Sequence, residues 1–206
     1  LDSNIISSYE QIRNIIKLSD DYKNILEDIF DNGEVTSELV VNFDFNENHN
    51  FNKNEIISLL YYFGYLTIKT SYTSASFVFR IPNRVIEKIY GMYYLSILEE
   101  YNIVTKSSEQ DDAIVALKNE GNIEPFCEYI SNLIKNTDNR IYINFKEKDL
   151  QLLMYPILLQ YSEFNTKMEY PNGDGFIDLM LFKTELSNYD IMIELKYLKK
   201  SNRKLF

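Results

Sequence analysis

The stretch that decides the fold lies near the end of the chain, in Asn172-Gly-Asp-Gly-Phe-Ile-Asp178-Leu-Met-Leu-Phe182 and in Tyr189-Asp-Ile-Met-Ile-Glu194-Leu-Lys196. Both segments are short apolar runs of the kind that forms buried β-strands, and both carry charge. Asp178 interrupts the first run, whereas in the second run charged and apolar residues alternate. Because strand side chains alternate between faces, Glu194 and Lys196 share one face. Burying such charges is costly unless they are paired or bind a metal, so they require a chemical explanation.

The spacing of these charged residues is similar to a known pattern. Gly175-x-x-Asp178, followed on the next apolar strand by Glu194-x-Lys196, resembles the PD-(D/E)XK nuclease superfamily. Upstream, the segment Asn144–Glu147 leads into the apolar run Leu150–Leu159. This upstream part is similar to the first core helix of that fold, which has an acidic residue near its start.

Two earlier segments resemble a narrower group within the superfamily, namely Leu59–Thr67 and Phe79–Arg84. In that group the nuclease domain follows an AAA-type ATPase-like domain, and a helical, winged-helix-like linker lies between them. The resemblance extends from about Glu34 to Lys196. It implies an ATPase-like domain N-terminal to this segment as a partner.

The resemblance also implies a catalytic site. Asp178 and Glu194 would bind Mg²⁺ or Mn²⁺, and Glu147 would reach the metal directly or through water. Lys196 would position or help to deprotonate the attacking water, or offset charge on the phosphate. Phosphodiester hydrolysis suits a divalent metal, which activates water and stabilises charge at phosphorus, and Mg²⁺ prefers oxygen ligands.

The helix register leaves the third acidic residue open, because Glu163 and Glu169 are alternatives to Glu147. There is also a purely structural explanation of the Glu194-x-Lys196 pair. Such a pair on a half-exposed strand is ordinarily solvated and contributes about 0–1 kcal/mol.

The chain is expected to be α+β and to comprise two domains. Helical periodicity dominates residues 1–138, where a helix, a hairpin and a second helix give a winged-helix-like order. Residues 139–206 are expected to form an α/β restriction-endonuclease-like core of one helix and three strands. In the family this core continues with a further helix and strand, so the core is expected to be incomplete here.

Composition limits the class of protein. The chain has 206 residues, 45% of them hydrophobic, one cysteine and a net charge of −10. One cysteine excludes an internal disulfide, and no apolar run is long enough to span a membrane. A cytoplasmic location is expected, with a secreted effector not excluded. The basic residues Lys196, Lys199, Lys200, Arg203 and Lys204 form a basic tail, which is either solvated or in contact with phosphate.

Other kinds of site are poorly supported by the sequence. His49 is the only histidine and lies in a polar segment, which argues against a histidine-based triad or a zinc site. Cys127 falls on an apolar helical face, where a free cysteine usually fills core space. The sequence contains no Gly-x-x-x-x-Gly-Lys-Ser/Thr phosphate-binding loop.

Two functional hypotheses follow. The first is a metal-dependent nuclease that acts on nucleic acid, DNA being favoured over RNA. The second is a catalytically inactive pseudo-nuclease that serves as a protein-interaction module of a larger ATPase-like, toxin, effector or defence protein. The acidic charge favours the second hypothesis, and the intact Asp178, Glu194 and Lys196 set favours the first. Either protein could be a homo-oligomer.

Overall fold

The structure is a computed structural model that describes residues 3–46, 49–100, 107–136, 146–173 and 175–196. Its contacts divide the chain into two units, residues 1–94 and residues 95–206. Helices and two three-stranded antiparallel sheets make up the described ranges, so the predicted α+β class is confirmed.

The first unit is built from amphipathic helices and one sheet. Its elements are α1 (Ser3–Ile16), α2 (Tyr22–Asn32), β1 (Glu34–Glu38), α3 (Lys53–Tyr62), β2 (Thr67–Ser71), β3 (Ser76–Arg80) and α4 (Arg84–Glu100), the last of which continues past residue 94. The strand order is β1-β3-β2. Asn52 begins α3 with a capping box, in which the Asn52 side chain and the Glu55 side chain each accept the other's backbone N–H.

The predicted order of helix, hairpin and second helix is present as α3, β2–β3 and α4. The core of this unit is aliphatic and aromatic, and Ile16, Leu26, Ile56 and Phe79 are fully or almost fully buried. A winged-helix fold for this region stays a prediction.

The second unit contains the proposed nuclease-like segment. Its further elements are α5 (Ser108–Glu120), α6 (Glu124–Asn136), α7 (Glu147–Leu159), β4 (Phe164–Asn172), β5 (Gly175–Lys183) and β6 (Ile191–Ile193). The three strands form a meander in the order β4-β5-β6. Helix α7 packs against β4 and β5, and every residue from Gln151 to Leu159 is buried. An apolar helix enclosed in this way acts as the core of the unit.

One strand differs from the prediction. The sequence predicts a strand over Ile191–Lys196, whereas β6 pairs with β5 only over Ile191–Ile193. Beyond the paired residues, the backbone N–H of Leu195 donates to the Asp178 carboxylate of β5 and not to a backbone carbonyl of that strand.

Two predictions concern residues outside the described ranges. The predicted domain boundary after residue 138 falls within residues 137–145, and it stays a prediction. The basic tail beyond Lys196 falls within residues 197–206. Among the helices that are described, none is long and apolar enough to cross a membrane.

Candidate active site

The site residues predicted on the two strands lie on the exposed face of the sheet. Leu179 pairs with Ile193, which places Asp178 and Glu194 one step further along the same two strands. Ile193 and Leu195 are buried, whereas the side chains of Glu194 and Lys196 are 44% and 72% exposed. The predicted alternation of buried and exposed residues is therefore confirmed, and it continues past the last paired residue of β6.

Asp178 is half-buried and held at two points. Its Oδ2 atom accepts the backbone N–H of Leu195 at 2.6 Å. Its own backbone carbonyl accepts from Nε2 of Gln151 at 2.7 Å. A short, charge-assisted bond from a backbone donor is stronger than a neutral one, so it fixes the segment that carries Glu194 and Lys196 beside Asp178.

Lys196 is the cationic member of the site. Its Nζ atom donates to Oε2 of Glu194 at 3.3 Å. This hydrogen bond and the charge of Glu194 raise the pKa of Lys196 above its ordinary value of 10.5, and the charges of Glu147 and Asp178 raise it further. A raised pKa in a lysine means that the ammonium form is favoured, so Lys196 carries its proton at neutral pH.

The same pKa shift shows which residues the fold brings together. Glu147 is the first residue of α7, 31 positions before Asp178 in the sequence, yet both carboxylates act on the Lys196 ammonium. Glu194 is within hydrogen-bond distance of the Lys196 ammonium, and the charges of Glu147 in α7 and Asp178 in β5 act on it from further away.

Of the two alternatives to Glu147, one lies near the site and one does not. Met168 pairs with Leu179 and Tyr170 with Ile177, so Glu169 lies opposite Asp178. Glu163 precedes β4 and forms an ion pair with Lys118 of α5 at 3.3 Å. Glu163 lies six positions before Glu169 along extended chain, which corresponds to about 20 Å, so Glu163 lies far from the site.

Sequence reasoning missed Gln151. Its side chain is only 2% exposed, and its amide contacts both Glu169 and Asp178. The available signal was a single amide in the apolar run Leu150–Leu159, because a polar side chain is seldom buried without a hydrogen-bond partner.

The donor atoms of the site suit a hard divalent cation. In the described ranges no group of three or more His, Cys, Asp or Glu side chains lies close enough to hold a metal ion. Mg²⁺, however, is often bound by one or two carboxylates, with waters and substrate phosphate completing its coordination. Asp178 and Glu194 supply carboxylate oxygens from neighbouring chain segments, so the residues present fit such an ion.

Comparison with known proteins gives one family. No curated protein and no solved structure matches the chain. The match to the narrower ATPase-associated group stays a prediction. A family model matches residues 145–205, which are less than half of the chain and include Glu147, Asp178, Glu194 and Lys196. This segment is similar to the PD-(D/E)XK nuclease superfamily.

Proposed function

We propose that the second unit contains a metal-dependent nuclease site that hydrolyses phosphodiester bonds of nucleic acid. The observation that carries the proposal is the strand register, which places Asp178 opposite Glu194 and beside the Glu194–Lys196 pair, while the charge of Glu147 also favours the Lys196 ammonium. These residues are distant in sequence, and the family match covers all four of them. An isolated surface ion pair between Glu194 and Lys196 would not need the carboxylates of Glu147 and Asp178 nearby.

In this proposal Asp178 and Glu194 bind Mg²⁺ or Mn²⁺, and Glu147 contacts the ion directly or through water. The bound ion would supply Lewis acidity toward the phosphate and a more acidic water. Oδ2 of Asp178 accepts the backbone N–H of Leu195, and this contact restricts the rotation of the carboxylate. Each carboxylate oxygen has two lone pairs, so either oxygen of Asp178 would be available to a cation.

Lys196 acts as a cation in this proposal. The hydrogen bond to Glu194 and the charge of Glu194 favour the ammonium form of Lys196 in the metal-free chain by raising its pKa. The ammonium orients the attacking water and offsets negative charge that develops on the phosphate oxygens. When substrate binds, the phosphate competes with Glu194 for this ammonium, which is 72% exposed and therefore accessible.

The substrate and context follow from the same resemblance. DNA is the proposed substrate in preference to RNA, and the proposed partner is an ATPase-like domain N-terminal to this segment. The net charge of −10 disfavours non-specific binding of polyanions by the whole chain. Affinity for nucleic acid is therefore expected to depend strongly on the metal and on the local cations.

A second candidate function is a catalytically inactive interaction module. The observation that favours it is the ion pair between Glu194 and Lys196, whose charged atoms lie 3.3 Å apart and compensate each other without any ligand.

Cleavage assays separate the two candidates. Single- and double-stranded DNA and RNA would be incubated with Mg²⁺ or Mn²⁺ and the chain, its Asp178→Asn variant and its Lys196→Met variant. Asp190→Asn is a matched control, because Asp190 also accepts a backbone N–H between the same two strands, that of Lys183 at 2.7 Å. Lys183→Met is the control for the lysine variant, since Lys183 is an exposed lysine elsewhere in β5.

The nuclease proposal predicts cleavage that disappears with chelator and in both site variants but persists in both controls. A folded wild-type chain that neither cleaves any of the four substrates nor binds Mn²⁺ would leave the interaction module as the better explanation.

A further inference from the structure

A buried side-chain amide contacts two residues at the proposed site. Gln151 lies in α7, and its Nε2 atom donates to Oε1 of Glu169 at 3.0 Å and to the backbone carbonyl of Asp178 at 2.7 Å. The amide group has two N–H donors, and both are used. Because both partners can only accept hydrogen bonds, the orientation of the amide is fixed by its surroundings.

The strand ladder is interrupted where this amide lies. The register on either side places Glu169 opposite Asp178, but this pair is missing from the ladder between β4 and β5. Glu169 has a φ of +50°, and it is the one non-glycine residue with positive φ in the described ranges. Backbone strain of this kind persists only where surrounding contacts enforce it, and it is concentrated at functional sites.

Glu169 is itself held from α7. Its Oε1 atom accepts from Gln151 and also lies 3.6 Å from Nζ of Lys148. The helix therefore contributes two donors to the strained residue. It contributes one donor to the backbone of Asp178 at the point where the ladder is open.

Asp178 is consequently fixed from both sides. Its carbonyl is bound to α7 through Gln151, and its carboxylate is bound to the segment after β6 through the backbone N–H of Leu195. A carboxylate that must present one oxygen to a cation works best when its backbone cannot shift, since metal-binding and catalytic groups need tight positional control.

We propose that Gln151 is a positioning residue that holds Asp178 in its site geometry by replacing the missing strand pairing with a side-chain amide. Its relevance to catalysis rests on the proposed nuclease function. Its effect on the position of Asp178 is independent of that function and can be measured without any metal.

The test compares Gln151→Met, which keeps the length of the side chain and removes both donors, with Gln160→Met. Gln160 is a matched control, because its Nε2 atom also donates to a backbone carbonyl of α7, that of Pro156 at 3.3 Å. The first measurement is the hydrogen-exchange rate of the Leu195 backbone amide in the full chain. The thermal stability of each variant is measured as well, so that a local change in exchange is distinguished from a change in global stability. We expect exchange at Leu195 to accelerate at least tenfold in Gln151→Met and to remain unchanged in Gln160→Met.

The second measurement is Mn²⁺ affinity by calorimetry, together with kcat and KM for cleavage. Loss of a group that orients a metal ligand typically weakens metal binding by about 10- to 100-fold, so Gln151→Met should lose affinity in that range and lower kcat with little change in KM. Gln151→Glu should be at least as impaired, because a carboxylate would then face the Glu169 carboxylate.

The outcomes distinguish the two proposals. If the wild-type chain neither binds Mn²⁺ nor cleaves nucleic acid, the nuclease function is contradicted. The exchange rate of Leu195 then still tests whether Gln151 positions Asp178. Unchanged exchange at Leu195 in Gln151→Met, or an equal change in Gln160→Met, would overturn the positioning role. Wild-type metal affinity and kcat in Gln151→Met would overturn its relevance to the site.

Discussion

Oδ2 of Asp178 accepts the backbone N–H of Leu195 at 2.6 Å, so the residue between Glu194 and Lys196 is fixed to the neighbouring strand by a side chain. Ordinary strand pairing has already ended at Ile193. The Asp178 carboxylate and the buried side chain of Leu195 therefore hold the segment that carries Glu194 and Lys196. Asp178 is in this way both a proposed ligand and a structural support for the other two residues.

Substitution of Asp178 should separate these two roles. Asp178→Ala removes the acceptor for Leu195 and is expected to lower the free energy of unfolding by about 1–3 kcal/mol. Asp178→Asn keeps an acceptor oxygen and should cost less than about 1 kcal/mol, yet it should lose Mn²⁺ binding. Chemical denaturation and calorimetry measure the two effects.

The control for Asp178→Ala is Asp190→Ala, which removes the corresponding bond to the backbone N–H of Lys183. A similar loss of stability with unchanged Mn²⁺ affinity is expected. If Asp190→Ala weakened Mn²⁺ binding as much as Asp178→Ala does, the loss of binding in Asp178→Ala would be explained by reduced stability and not by the loss of a metal ligand.

Lys196→Met should affect the reaction and spare the fold. The side chain is 72% exposed and its pair with Glu194 is at the surface, so stability should change by no more than about 0.5 kcal/mol. If the ammonium stabilises transition-state charge, kcat should fall by about 10²- to 10³-fold. Steady-state kinetics beside the Lys183→Met control would measure this.

The pH dependence of kcat tests the cationic role of Lys196. In the metal-free chain the hydrogen bond and the charge of Glu194 raise the pKa of Lys196. If Lys196 also acts as a cation in the loaded site, its deprotonation should lower kcat only in strongly alkaline solution. A general base would instead require a pKa near the working pH. An ionisation at about pH 7–9 that disappears in Lys196→Arg would contradict the cationic role.

Thr166→Val should stabilise the second unit. Within the described ranges, the buried Oγ1 atom of Thr166 has no hydrogen-bond partner. Replacing an unpaired buried hydroxyl by a methyl group of similar size removes a desolvation penalty, and a gain of about 1 kcal/mol is expected from thermal or chemical denaturation.

Thr184→Val is the opposite case, at the residue that follows β5. Oγ1 of Thr184 lies within hydrogen-bond distance of the Ser162 and Glu163 carbonyls and accepts from the backbone N–H of Leu186. This variant should lose stability. Equal effects of the two substitutions would show that the Thr166 hydroxyl is satisfied.

Gly121→Ala should be more damaging than Gly33→Ala. Both glycines end helices with positive φ, +68° and +63°, where an added side chain is expected to cost about 1–2 kcal/mol. A Cβ atom at Gly121 would also lie 3.3 Å from the ring of Tyr189, whereas none of the described atoms lies within 4 Å at Gly33. Denaturation of the two variants measures the difference, and a larger loss at Gly33 would contradict it.

Local signals in the sequence were sufficient for most of the elements. The capping box of Asn52 and Glu55 at the start of α3 joins residues that are three positions apart. The alternation through Ile193, Glu194 and Leu195 predicted the exposed face, since strand period is a local property. Such short-range patterns can be recognised in the sequence without knowledge of the tertiary structure.

The sequence by itself determined the α+β class, the approximate positions of the helices and strands, and the face on which Glu194 and Lys196 lie. Only the tertiary structure decided that β6 ends at Ile193, that Glu169 lies opposite Asp178, and that Gln151 contacts both. The physical reason is separation along the chain. These hydrogen bonds join residues 17 to 27 positions apart, and partners at that distance are chosen by packing and register, which no local pattern encodes.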